Sequence, residues 1–260
     1  LFGFNRFTLP KMSEKEYSND YLAHISLDCV IFGFHANQLK VFLLHLKTTG
    51  EWALPGGFVR EEETLEVAAS RVLKERTQMD EIFLRQFHVF SEPNRSNRNP
   101  AVSDLVNSNQ VHPDLEWFDQ RFISVGFYAL VEFSQVQPQP DDLSDFCKWA
   151  NIDEVGQLMI DHNIILNKAL ETLRLQLTFQ PIGYNLLPEK FTMTELRKLY
   201  ETILGQELDR RNFQRKILAY DILTRLDEVK QGVAHKAPTL YSFNLKNYKK
   251  ALEDGLNGKW

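Results

Sequence analysis

Cysteine is nearly missing from this 260-residue chain: only Cys29 and Cys147 occur. Both sit in apolar, strand-like runs, so they are expected as buried thiols rather than a disulfide framework or a metal site, and the expected location is the reducing cytoplasm. No apolar run approaches the roughly 20 residues that a membrane helix needs, so no membrane partner is expected. No secretory signal pattern is read at the start, and Leu1 to Pro10 is irregular. Internal repeats and low-complexity tracts are lacking too, which excludes solenoids and linker-like polymers. What is present is ordinary for a globular protein: 43% hydrophobic and 25% charged residues. Such a composition excludes disorder as the main state, and the length leaves room for two domains.

Acid exceeds base overall, with a formal net charge of −5, but the excess is uneven. Between Leu186 and Lys250 there are 13 Lys and Arg against 8 Asp and Glu, a balance of +5, whereas residues 1–185 carry −9. A basic segment behind an acidic body points the C-terminal part toward a polyanion.

Hydrophobic periodicity gives the order of elements. His24 to Phe34 and Leu39 to Leu46 read as strands joined by the turn His35-Ala36-Asn37-Gln38, a hairpin. Trp52 to Val59 contains Pro55, Gly56 and Gly57 and reads as a strand edge turning into a loop. From Thr64 to Thr77 the apolar residues Leu65, Val67, Ala68, Ala69, Val72 and Leu73 recur on one broad helical face. Ile82 to Phe90, Arg121 to Phe133 and Cys147 to Ile152 read as strands, and His162 to Leu177 as a helix. Ser91 to Gln120 is too long for an ordinary connection and reads as a binding loop or an insert. Thr178 to Lys190, with Pro181, Gly183 and Pro188, reads as an interdomain linker.

Within this pattern Gly57 is followed by five residues and Glu63, then by seven and Arg71, and then by Leu73, Glu75 and Met79. With the Trp52-Ala53-Leu54-Pro55-Gly56-Gly57 entry, this frame resembles the Nudix box: Gly, five residues, Glu, seven residues, then Arg-Glu-apolar-x-Glu-Glu-x-Gly-apolar. Three positions depart from it. Val72 and Arg76 stand where the box has glutamates, and Gln78 stands where it has glycine. In Nudix hydrolases the glutamates share a helix face and gather Mg²⁺ or Mn²⁺. A hard cation needs clustered oxygens, and Val72 offers none, while Arg76 places a positive charge there. No metal, cofactor or catalytic residue is therefore assigned. Glu63 and Glu75 are expected to brace the loop and helix, with Arg71 available as an ion-pair partner, or to line an effector cleft. Arg95 and Arg98 on the long loop, and His162 at the start of the last helix, are further candidates for effector contact. The alternatives are a solvated loop for the arginines and, for Asp161-His162, a helix cap in which Asp161 accepts a backbone hydrogen bond.

Beyond the linker, Thr192-Met193-Thr194-Glu195 has the capping-box form. Leu196, Leu199, Tyr200 and Ile203 then mark a helix that ends at Gly205. Asp209 can cap a second helix from Arg210 to about Tyr220. It has Phe213, Ile217 and Leu218 on one side and Arg210, Arg211, Gln214 and Arg215 on the other, the helix-turn-helix form. Arginines suit phosphates and guanine edges, and Asn212 and Gln214 suit adenine. Leu223 to Leu226 and Thr239 to Phe243 read as two strands of a wing with Lys230, His235 and Lys236 near its tip, where cations position a protein on the DNA backbone. Arg210, Arg211, Asn212, Gln214, Arg215, Lys216, Lys230, His235 and Lys236 are the expected DNA contacts.

Together the halves resemble the NrtR/AraR-type Nudix-related transcriptional regulators over residues 22 to 250. Pro181 to Pro188, Phe191-Thr192 and Arg211-Asn212-Phe213 with Arg215-Lys216 look like the AraR branch. The resemblance implies an α+β protein: an N-terminal Nudix-like α/β/α sandwich with a mixed sheet, followed by a C-terminal winged helix-turn-helix domain. The expected divisions are an irregular segment 1–20, an effector-sensing domain 21–180, a linker 181–190, a winged helix 191–250 and a tail 251–260. It also implies a homodimer on operator DNA, with a small-molecule effector, ADP-ribose or a pentose such as arabinose. Two rival readings are an active Nudix hydrolase that cleaves an ADP-ribose-like substrate with Mg²⁺, and a protein-binding adaptor without a DNA role.

Overall fold

The computed structural model describes residues 20–47, 49–79, 82–95, 120–141, 143–231 and 237–255. The first strand, β1 (Tyr21–His35), turns through Ala36 and Asn37 into β2 (Gln38–Leu46). Both turn residues have positive φ, 50° and 59°. That is the two-residue turn whose twist matches antiparallel strands, and it suits Asn better than Ala. β3 (Trp52–Ala53) and β4 (Gly56–Arg60) follow, then helix α1 (Leu65–Thr77), β5 (Phe83–Phe90), β6 (Ile123–Val131), β7 (Ser144–Asn151) and helix α2 (His162–Leu177). One mixed sheet joins the strands. β1 runs parallel to β6, and the other pairings between these strands are antiparallel: β1 with β2 and β4, β2 with β3 and β7, and β5 with β6.

Strand alternation divides β1 between two layers. Leu27, Cys29 and Ile31 pack with Ala68, Ala69, Val72 and Leu73 of α1. Val30 and Phe32 pack with Ile165, Leu166, Ala169 and Leu173 of α2. The α1 and α2 layers thus cover opposite faces, the expected sandwich. Cys29 is fully buried, and burial pushes its thiol well above the usual range. Cys147 is partly covered, and both cysteines are free.

The second core continues into the C-terminal half. β8 (Phe191–Thr192), α3 (Met193–Leu204), α4 (Arg210–Ala219), β9 (Leu223–Val229), β10 (Thr239–Phe243) and α5 (Leu245–Asp254) form a winged helix, with sheet order β8-β10-β9. The capping box at Thr192 is made in both directions. Gly205 closes α3 at φ 69°, a conformation other residues adopt only at a cost. Segment 181–190 is not a loose linker: Ile182, Leu186 and Leu187 are buried in the α2-side core. Helix α5 runs through the boundary expected at Lys250. Arg174 on α2 donates to the Ile203 carbonyl (2.8 Å), Gln180 to the Leu252 carbonyl (2.7 Å), and Thr202 to the Asn37 carbonyl (3.2 Å), tying the winged helix to the sandwich.

Candidate functional site

The box region sits on the α1 side. Thr64 caps α1 by accepting from the Val67 N–H, and Gly57 lies beneath Val72, whose methyl would come within 2.7 Å of any Cβ there. Val72 is 1% exposed. Its position is therefore a packing position, one where a carboxylate would displace core atoms. Glu63 accepts from Arg71 with both oxygens, at 2.7 and 2.8 Å, and from the Arg60 N–H at 3.2 Å. Arg71 also donates to the Phe58 carbonyl (2.8 Å). These hydrogen bonds, the arginine's above all, hold the Glu63 carboxyl below the usual range. Glu75 lies 3.7 Å from Arg71 and 3.6 Å from Arg76. Arg76 is turned away from solvent toward Asp141 at 3.5 Å, and its Nε has no hydrogen-bond partner among the described residues. These side chains do not fit a divalent metal: both oxygens of Glu63 are engaged by a cation, and a second cation stands at position 76. Gln78 has φ 59° at the α1 C-cap. The family glycine at this position answers that left-handed conformation.

On the opposite face, a buried polar cluster centres on Asp28, which is 7% exposed. Arg95 donates through Nε and one terminal nitrogen to the two oxygens of Asp161, at 2.9 and 3.0 Å. The same terminal nitrogen reaches Asp28 at 3.3 Å, and the other reaches the Phe122 carbonyl at 3.3 Å. Ser124 donates to Asp28 at 2.5 Å. His162 accepts the Leu54 N–H on Nδ1 (2.9 Å), so its proton sits on Nε2, 3.4 Å from Asp28. Gly56, paired with Asp28 across β1 and β4, leaves room for this carboxylate.

Three expectations change here. Arg95 is not on a solvated loop: it clamps the start of the long insert to α2 and to Phe122. Asp161 precedes α2 but makes no side-chain cap, because Arg95 occupies its carboxylate. Glu63 and Glu75 do not join Arg95 and His162 in one group, since the sheet separates them. Arg98 lies outside the described residues. Asp28 and Ser124 were missed, although an acid inside an apolar strand is itself a signal. A buried ionic group of this kind contributes little net stability compared with apolar packing. Its presence calls for another role.

The face expected to meet nucleic acid lies on α4. Asp209 caps it through the Asn212 N–H (2.8 Å). Phe213 and Ile217 are buried, and Phe213 meets Tyr200 edge-on at 5.3 Å. Arg210, Arg211, Asn212 and Arg215 are exposed, whereas Gln214 and Lys216 are half-buried. Arg215 donates to the Asn212 amide oxygen (3.0 Å). Leu218, expected on the apolar side, is 43% exposed, because the helical repeat carries it round to the side of Arg211 and Arg215. Lys230 is not a free wing cation. It donates to Glu195, and this bond, with those from Thr192, outweighs burial and holds the Glu195 carboxyl below its usual range. His235 and Lys236 lie outside the described residues. A groove of about 650 Å³ beside the wing is lined by paired charges, including Lys190, Glu195 and Glu228. It lies away from the Asp28 cluster.

A mixed sheet between two helical layers, an altered box and a capped helix-turn-helix with a wing define a Nudix sandwich joined to a DNA-binding winged helix. The Nudix domain model matches residues 23–173 and the model of the NrtR DNA-binding winged helix domain matches residues 183–243, so the chain belongs to the Nudix family and carries an NrtR-type winged helix. It is 28% identical over 255 residues, 95% of this chain and 91% of the relative, to the ADPR-responsive transcriptional repressor NtrR of Acinetobacter baylyi. The crystal structure of Shewanella oneidensis NrtR is similar at a TM-score of 0.69 and 25% identity, covering 87% of this chain and 96% of that one. The same protein complexed with a 27mer DNA shares the fold at a TM-score of 0.70 and 24% identity, covering 86% and 95%.

Proposed function

We propose that the chain is an ADP-ribose-responsive transcriptional repressor that binds operator DNA as a homodimer through α4. The observation that carries the DNA reading is the face of α4. Arg210 and Arg211 are exposed with no ion pair among the described residues, opposite a stripe that locks the helix into the core. Such side chains contact phosphates and base edges without a desolvation cost already incurred inside the fold.

The effector reading is supported by the Acinetobacter relative, an ADPR-responsive repressor that matches nearly the whole of this chain. The altered box favours binding over hydrolysis, since Glu63 is held by Arg71 and Val72 is core. The Asp28 cluster supplies a route for coupling. It fixes the N-terminal end of α2, and the C-terminal end of the same helix holds the winged helix through Arg174. An effector that binds beside the cluster and prefers one placement of α2 thereby changes the DNA-competent population.

Thermal melting with ADP-ribose, arabinose and ribose, each with Mg²⁺ and with product analysis, tests this reading. A ligand that binds only the folded state raises the melting temperature. ADP-ribose alone is expected to do so, without hydrolysis. A shift with arabinose alone would replace the effector, and Mg²⁺-dependent release of AMP would replace the repressor reading by an enzymatic one.

A further inference from the structure

Helix α2 has two apolar faces. One enters the core through Ile165, Leu166, Ala169, Leu173 and Leu177. The other points directly away from it: Ile164 is 64% and Leu175 56% exposed, flanked by Ile160 at 44% and Phe179 at 59% just beyond the helix ends. Between them, Lys168 and Glu171 form an ion pair at 2.8 Å. Positions 164, 168, 171 and 175 are spaced four, three and four apart, so they form one narrow stripe of the kind that packs helix on helix.

This stripe is self-complementary. Laid antiparallel on a second copy about an axis between residues 169 and 170, it sets Ile164 against Leu175, Lys168 against Glu171, and Ile160 against Phe179. Every apolar residue meets an apolar one and every charge meets its opposite. A two-fold axis imposes this reciprocity on any isologous contact, and this stripe satisfies it at each of these positions. We infer that the outward face of α2 is the seam through which two copies of this chain pair, antiparallel and in this register.

The pairing suits the proposed reading and rests on its dimeric part. A 16-residue helix is about 24 Å long. Antiparallel seating therefore puts the two winged helices at opposite ends of the seam, on the scale of the roughly 34 Å between successive half-sites on one side of a duplex. It also makes α2 common to the Asp28 cluster, the seam and the DNA-reading domain.

The test is sedimentation of the full chain with three variants. Unaltered chain is expected as a dimer at micromolar concentration. Ile164→Glu sets a charge against Leu175 of the second copy and weakens the dimer by about a hundredfold or more. The variant still folds, as its far-UV spectrum and cooperative unfolding should show, because residue 164 is exposed. In a Cys147→Ser background, Ile164→Cys with Leu175→Cys is expected to give a covalent dimer on mild oxidation. Ile164→Cys alone is not, because the register keeps the two copies of residue 164 apart. A dimer indifferent to Ile164→Glu, or one without the paired-cysteine cross-link, overturns the seam while leaving the dimeric reading intact. A chain that stays monomeric overturns both.

Discussion

Arg71 and Arg95 in the sandwich, and Arg211 and Arg215 on α4, are the same residue type put to opposite uses. The first two point inward and are saturated by carboxylates and carbonyls of the chain: Glu63 and the Phe58 carbonyl for Arg71, Asp161, Asp28 and the Phe122 carbonyl for Arg95. The second two stand in solvent on a helix anchored by Phe213 and Ile217. Inward pairing removes a cation from ligand chemistry and makes its loss a folding defect. Outward placement leaves folding indifferent and makes loss a binding defect. This difference separates the residues that hold the sandwich together from those proposed to meet DNA.

Substitutions should therefore dissociate the two regions. The largest effect is expected from Asp28→Ala, which leaves Arg95 buried with one carboxylate fewer and strands the His162 N–H. Unfolding by urea should show a loss of about 3–5 kcal/mol. A loss below about 1 kcal/mol would mean that the cluster is not tightly held. Arg211→Ala should do the reverse. Duplex binding should weaken by about 1–3 kcal/mol, with a salt slope reduced by about one if the contact is to phosphate, while the urea midpoint stays fixed. Should the midpoint fall instead, Arg211 belongs with the inward class. Gln78→Gly relieves a left-handed residue at the α1 C-cap, and a gain of up to about 1 kcal/mol in thermal unfolding is expected. Least is expected from Lys190→Ala. Its pair with Glu228 at 2.8 Å lies on the surface, so neither stability nor DNA affinity should move measurably.

The parts of this architecture set by local physics were legible in the sequence. The Thr192–Glu195 box, the Gly205 stop, the Asp209 cap and the Ala36-Asn37 turn each depend on residues within four positions of one another. The bounds of α2 were read as His162 to Leu177, as found. Helix α5 was missed despite a visible Asn244 cap and the spacing of Tyr248, Ala251 and Leu252. β8 was missed because two residues carry no period. The Asp28 cluster was illegible for a different reason. Asp28 and Arg95 are 67 positions apart, and only the sheet register, which sets β5 next to β6 and β6 next to β1, brings them together. The Lys230–Glu195 pair likewise spans 35 positions, so a cation that looked available to DNA is already engaged.

The central claim is that an effector in the altered Nudix half controls the outward arginines of the other half. The most direct test is fluorescence anisotropy of a labelled duplex, selected by the chain from a random pool, at fixed salt with and without ADP-ribose. The account predicts a change in DNA affinity of about fivefold or more, the usual scale of coupling between two sites. Affinity that stays the same at ADP-ribose concentrations that raise the melting temperature would contradict it.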